Sequence, residues 1–292
     1  MKNIFPQSLS SRLRPSSPPL HTIVEGGIGM PVIKTNEWLL EHYQDPLKLC
    51  KKMKPFFPRV SVNEIYDYFR LHGMYQEAVK SGATLVQTMK QNNIWGIVER
   101  EHQALQKKWK GPDVPIIILP SNTADPKLLS DTNGKAGLAF ADKLFLFVPE
   151  TILAHELKAL FIHEYNHLCR MWLTKKEENS FTLLDSIILE GLAEHAVRER
   201  LGEAFTATWT NYYSHEKLAR IWEKSILPKR MLKKSHHLHN QYLYGWNGHP
   251  KMAGYCVGYY LVETYMNTHK VCILDILGEN AEVIAGLTQL KK

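Results

Sequence analysis

The sequence predicts an α+β fold in which a small β-sheet is combined with helical segments before and after it. Two apolar runs, residues 114–119 and 143–148, are rich in β-branched or aromatic residues and are each followed by a proline, which is typical of buried strands. Apolar residues at helical spacing begin at Thr35 and return beyond Pro149. The 292 residues are 44% hydrophobic and 22% charged, so the chain can bury a core as one or two domains.

The chain is predicted to consist of three parts. Residues 1–29 are rich in serine and proline and show no periodicity, which predicts a disordered leader. Residues 30–111 are predicted to form a helical N-terminal region, with a long helical stretch over 75–109 that is interrupted near Asn92. Residues 112–292 contain both predicted strands and are expected to form the functional domain.

Local signals place several boundaries. Residues 61–64, Ser-Val-Asn-Glu, predict a capping box that opens a helix ending near Gly73. The glycines in 134–137 predict a turn between the two strands. Two further helices are expected at about 152–173 and 182–201, the second of them closed by a glycine.

Composition excludes several classes of protein. The four cysteines are far apart and form no CxxC pair, which indicates neither a disulfide framework nor a zinc ribbon and favours a cytoplasmic location. The net charge of +7 comes from short, scattered basic clusters, so no nucleic-acid partner is expected. No apolar run is long enough to predict a membrane span or a secretion signal.

The motif that carries chemistry is His163-Glu164-Tyr165-Asn166-His167, an HExxH sequence inside the first of the two late helices. Spacing of four residues places both imidazoles on one face of a helix, about one turn apart, where they can bind a single zinc ion. Glu164 then lies beside the metal's open position and can accept a proton from water. The uncharged residues around the motif are typical of a buried helix.

The next helix offers the third ligand, because a catalytic zinc ion usually has three protein ligands. Glu190 is the best candidate. Glu194, one turn further on, is the fallback ligand, a carboxylate that orients a ligand histidine, or a residue with a plain surface or structural role. Asp185 is less well aligned. Small residues at Gly191 and Ala193 are expected to allow the two motif helices to approach closely.

HExxH followed by EGxAE resembles the gluzincins, a clan that includes thermolysin and the zinc aminopeptidases. Residues 32–39, the EGLAEH sequence and the stretch 254–259 resemble more closely the YjaZ-like family of predicted zinc proteases. The resemblance covers about residues 30–270. It implies a zincin-like core built from a small sheet and two metal-binding helices, one Zn²⁺ per chain bound by His163, His167 and Glu190, and Glu164 as general base.

Gluzincins commonly use a tyrosine or histidine from a later segment to stabilise the oxyanion, which makes Tyr255 and His249 candidates for that role. Tyr255 reads first as an aromatic residue of a tightly packed helix, and the oxyanion role is the functional alternative. The histidines at 236, 237 and 239 have no metal-ligand spacing and predict an exposed polar loop.

The predicted function is therefore a metallopeptidase whose partner is a peptide or protein substrate. The alternative is a non-catalytic regulatory or interaction protein that retains a zincin fold, and the intact Glu164 argues against it. The strand 143–148 is expected to be an edge strand that aligns a peptide by main-chain pairing.

Overall fold

The computed structural model describes residues 31–177 and 180–288, and the predicted disordered leader at 1–29 lies outside the described residues. The described residues form two compact units that divide between Leu168 and Cys169. The division of the chain at residue 112 into a helical region and a functional domain stays a prediction. Within the described residues, no helix has both the length and the apolar character needed to cross a membrane.

The described chain is mostly helical and contains a small three-stranded sheet, which confirms the α+β prediction, whereas the zincin-like core stays a prediction. The elements of the first unit are α1 Thr35–His42, α2 Pro46–Met53, α3 Val62–Leu71, α4 Gly82–Gln91, α5 Ile94–Trp109, β1 Ile116–Pro120, α6 Pro126–Thr132, β2 Ala136–Ala139 and β3 Leu144–Val148. Helix α7, Ala154–Thr174, contains the boundary between the units. The second unit continues with α8 Leu183–Leu201, α9 His215–Ile221, α10 His239–Tyr244, α11 Ala253–His269, α12 Ile273–Ile276 and α13 Ala281–Ile284.

The sheet has the strand order β1-β3-β2, with β3 parallel to β1 and antiparallel to β2. The expectation that residues 143–148 form an edge strand is therefore wrong, since β3 is central and β2 lies at an edge. The predicted turn over 134–137 is shifted as well. Asn133 and Gly134 take the left-handed conformation, with φ of 52° and 76°, and the chain is already extended from Ala136.

The two faces of the sheet contact different layers of the first unit. On one face, the Phe145 ring stacks on Phe57 with ring centroids 5.6 Å apart and contacts Phe69 at 4.7 Å. The strand register shows which residues lie on the other face. Gly137 of β2 pairs directly with Leu146 of β3, and directly opposed residues share a face. A Cβ added to Gly137 on that face would overlap with the side chain of Glu164 on α7. The sheet thus packs closely on the helix that carries the HExxH motif.

In the second unit, α8 and α11 pack at very close distance through Gly191 and Gly258. A Cβ on Gly258 would overlap with the backbone carbonyl of Ile187, and one on Gly191 would overlap with the carbonyl of Gly258. Only glycine fits at such a crossing. The sequence analysis expects Gly191 to allow close approach of α8 to α7. That expectation is wrong, because Gly191 packs on α11 instead. The Arg198 guanidinium of α8 also donates a 2.6 Å hydrogen bond to Glu263 of α11.

Candidate metal centre

The two motif histidines lie on one face of α7, as the helical period requires. Their rings are 4.5 Å apart between centroids and meet edge to face. Helix α7 is fixed against α5 by Tyr165, which lies between the two histidines in the motif. The Tyr165 ring stacks on Trp109 of α5 at 6.0 Å and on Phe161 at 5.5 Å. The Tyr165 hydroxyl donates to the carbonyl of Pro112 at 3.2 Å. Packing of the residue between the two histidines therefore sets the orientation of the motif.

Helix α8 begins with a capping box that the sequence analysis did not identify. The Thr182 hydroxyl accepts the backbone N–H of Asp185, and the Asp185 carboxylate accepts the backbone N–H of Thr182 at 2.7 Å. Lys176 donates to both carboxylate oxygens of Asp185, at 2.8 and 2.7 Å. Asp185 is thus engaged in starting the helix, and Glu190 follows it further along α8.

His163, His167 and Glu190 form a cluster in which one ligand atom from each residue lies within 4.8 Å of the other two. His167 is buried, and the other two are partly buried. Ligand atoms bound at about 2.1 Å in a tetrahedral zinc site are about 3.4 Å apart, so small side-chain movements suffice to bring these donors onto one ion. Two imidazoles and one carboxylate also make a donor set that zinc accepts. The residues present therefore fit a zinc ion.

Glu164 follows the first histidine and lies almost fully buried beside β2. The backbone of Gly137 packs directly on its side chain, since an added Cβ would lie only 2.5 Å from the Oε1 atom. A larger residue at 137 would have to displace the carboxylate. The edge strand therefore fixes the place of the candidate base.

Two tyrosines of the second unit surround the third candidate ligand. The Tyr255 hydroxyl of α11 donates a hydrogen bond to Glu190, and the hydroxyls of Tyr255 and Tyr244 hydrogen-bond to each other. Burial raises the pKa of Tyr255 well above its usual value, and the negative charge of Glu190 raises it further. Burial and the same carboxylate also raise the pKa of Tyr244. Both hydroxyls therefore stay protonated and available as donors at neutral pH.

The remaining candidates have different surroundings. The Glu194 carboxylate is buried and accepts the backbone N–H of Ala207 at 2.8 Å, so its role in orienting a ligand histidine stays a prediction. His249 lies against Tyr242, with ring centroids 4.4 Å apart.

The prediction of an exposed histidine loop is only partly correct. His236 and His237 are exposed, but His239 is fully buried, and its ring hydrogen-bonds to the Ser186 hydroxyl at 3.0 Å. The prediction for His239 was therefore wrong.

Sequence reasoning missed two residues of the site, Gly137 and Tyr244. Gly137 falls in the predicted turn because the glycines at 134 and 137 favour a turn, and the four-residue strand around it carries no strand pattern of its own. Tyr244 ends the short helix α10, and no local pattern marks it, since its contact with Tyr255 joins two separate helices.

A family model described as "Predicted Zn-dependent protease (DUF2268)" matches residues 94–286, a range that includes His163, His167 and Glu190. The chain is also similar to the Bacillus subtilis (strain 168) protein "Uncharacterized protein YjaZ". The two are 39% identical over 261 residues, which are 87% of this chain and 97% of the relative. A second protein of the same organism, "Uncharacterized protein YjfC", is 25% identical over 174 residues, covering 55% of this chain and 57% of the relative. No solved structure matches the chain significantly.

Proposed function

We propose, from the premise that this chain belongs to the DUF2268 family of predicted Zn-dependent proteases, that it hydrolyses peptide bonds at the cluster of His163, His167 and Glu190. Membership agrees with the resemblance to YjaZ-like proteins found in the sequence. The observation that carries the proposal is the convergence of these three donors within 4.8 Å, with Glu164 beside the first of them on the same helix. In this proposal the three donors hold one zinc ion per chain.

A zinc ion in such a site lowers the pKa of a water molecule and polarises a carbonyl group. Glu164 supplies the proton transfers that hydrolysis needs. An Oε atom of its carboxylate takes a proton from the attacking water and then delivers that proton to the nitrogen of the leaving amine. Burial against β2 supports this role, because the carboxylate is held in one place.

Strand β2 is the element best placed to align a substrate. It lies at an edge of the sheet, and Gly137 on it touches Glu164. A peptide that pairs with this edge by main-chain hydrogen bonds would pass beside the general base. The alignment role that the sequence assigned to residues 143–148 is thus transferred to Ala136–Ala139.

Tyr255 is the better supported of the two candidates for oxyanion stabilisation. Its hydroxyl already reaches Glu190, whereas His249 packs on Tyr242 in the loop before α11. A hydroxyl next to a ligand carboxylate can turn toward a developing oxyanion with a small rotation. Both assignments are part of the proposal.

The test is the substitution Glu164→Gln, because glutamine has nearly the same shape but cannot accept the proton. The variant is expected to keep its zinc, measured by elemental analysis, and to lose at least about a hundredfold in the cleavage rate of a mixed peptide library. Glu223→Gln, at an exposed position in the second unit, is the matched control and should cleave like the wild type. Equal cleavage by wild type and zinc-loaded Glu164→Gln would refute the mechanism. A zinc-loaded wild type that cleaves nothing would favour the non-catalytic alternative.

A further inference from the structure

Four aromatic side chains of the second unit form a continuous cluster that starts at Glu190: Trp209, Tyr244, Trp246 and Tyr255. The Tyr255 ring meets Trp209 edge to face at 5.2 Å and Tyr244 at 5.6 Å. Tyr244 in turn stacks on Trp246, with centroids 5.1 Å apart and planes inclined by only 16°. The hydroxyls of the two tyrosines point inward, to Glu190 and to each other. Their rings therefore join the candidate ligand to Trp246.

Trp246 is held in place although much of it is exposed. Its relative exposure is 43%, while one face of the ring is covered by Tyr244. The preceding Gly245 has φ of 74°, and a Cβ there would overlap with the carbonyl of Pro250. The loop is closed by a 2.8 Å hydrogen bond from the Met252 N–H to the Tyr244 carbonyl. An aromatic surface is thus presented to solvent by a closed loop that admits only glycine at 245.

We propose that Trp246, backed by Tyr244, is a substrate subsite that takes an aromatic or large aliphatic side chain of a peptide bound at Glu190. This inference rests on the proposed function, since only a peptide bound at Glu190 would extend along the cluster. A flat ring already stacked on one face gains further contact when a second apolar group covers the open face. Ring stacking and removal of apolar surface from water favour such side chains over alanine, by about tenfold in affinity.

Binding and cleavage are measured separately to test this subsite. The probes are two hexapeptides, one of alanine alone and one with a central phenylalanine, titrated calorimetrically into the zinc-loaded Glu164→Gln protein. The phenylalanine peptide is expected to bind about tenfold more tightly. In the double variant that also carries Trp246→Ala, this ratio should fall below about threefold, and Trp246→Phe should restore most of it because a ring is present again.

Trp172 provides the matched control, since it is also 43% exposed. It lies on α7 about 140° around the helix axis from His167, at 100° per residue, so Trp172→Ala should leave the preference intact. Equal affinity of the two peptides would overturn the subsite, and so would a ratio that Trp246→Ala leaves unchanged. A wild-type protein that shows the preference in binding but cleaves neither these peptides nor the mixed library would confirm the subsite and refute the proposed hydrolysis.

Discussion

At the scale of single residues, Gly137 links the sheet to the candidate base. A methyl group at this position would overlap with the Glu164 side chain, so Gly137→Ala must move the carboxylate. Because a misplacement of about 1 Å can reduce a rate by about a hundredfold, we expect the cleavage rate to fall at least tenfold, with the zinc content unchanged.

Gly278→Ala is the control for this substitution. An added Cβ at Gly278 meets the Leu173 side chain at 3.5 Å, which is ordinary contact, so activity should be retained. Cleavage of the mixed peptide library measures the rate, and elemental analysis of the same samples measures the zinc content. Full activity of Gly137→Ala would show that Glu164 does not depend on the edge strand.

The site residues that the sequence alone identifies are those defined by the local helical period. His163 and His167 are four residues apart, and a helix necessarily places them on one face. Glu190 is predicted as the third ligand because a catalytic zinc ion usually has three protein ligands and the next helix carries this glutamate. Tyr244 and His239 were missed or misassigned, because their surroundings come from segments distant along the chain: Tyr255 in one case and Ser186 in the other.

At the scale of elements, strong local signals predicted the helices α3, α7 and α8 and the strands β1 and β3 to within a few residues. The Ser61 capping box and the break between α4 and α5 near Asn92 are both present. The long stretch predicted over 75–109 is shorter, because α4 begins only at Gly82. Strand β2 has the sequence Ala-Gly-Leu-Ala, which lacks both alternation and β-branched residues. Its extended conformation comes from pairing with β3, which no local pattern reports.

The crossing of α8 and α11 gives a prediction about stability. Gly→Ala inside a helix normally stabilises a protein by up to about 1 kcal/mol, since alanine has the higher helix propensity. At Gly258 the added methyl would overlap with the carbonyl of Ile187, and the helices would have to separate. Gly258→Ala is therefore expected to lower the free energy of unfolding by at least about 2 kcal/mol, as measured by urea denaturation.

The exposed Gly278→Ala should remain within about 0.5 kcal/mol of the wild type in the same measurement. If Gly258→Ala proved as stable as the wild type, the close helix crossing would not exist in solution.

At the scale of the whole molecule, the buried His195 should make stability depend on pH. Its ring stacks on Tyr259 at 3.9 Å and hydrogen-bonds to that residue's carbonyl at 3.0 Å. Burial lowers the pKa of His195 from 6.5 to about 4. Between these values the unfolded chain binds a proton that the folded protein does not, so stability falls as the pH decreases. At about 1.4 kcal/mol per pH unit, the loss approaches about 3 kcal/mol at pH 4.

His195→Gln removes this titration and should reduce the loss of stability between pH 6.5 and pH 4, as measured by urea denaturation across that range. The dependence should not vanish, because burial also lowers the pKa of His102 and His239. The exposed His237→Gln should behave like the wild type. An unchanged pH profile of His195→Gln would show that His195 titrates equally in the folded and unfolded states.

The site depends on residues from two consecutive helices, so its most direct test is a crystal structure of the zinc-loaded protein with anomalous diffraction recorded at the zinc edge. We predict one zinc peak per chain, bound by the imidazoles of His163 and His167 and by the carboxylate of Glu190, at about 2.0 to 2.2 Å. The His163→Ala protein, treated in the same way, should lack the peak. A zinc ion bound by Glu194 in place of Glu190, or at any site that excludes the two histidines, would contradict the account.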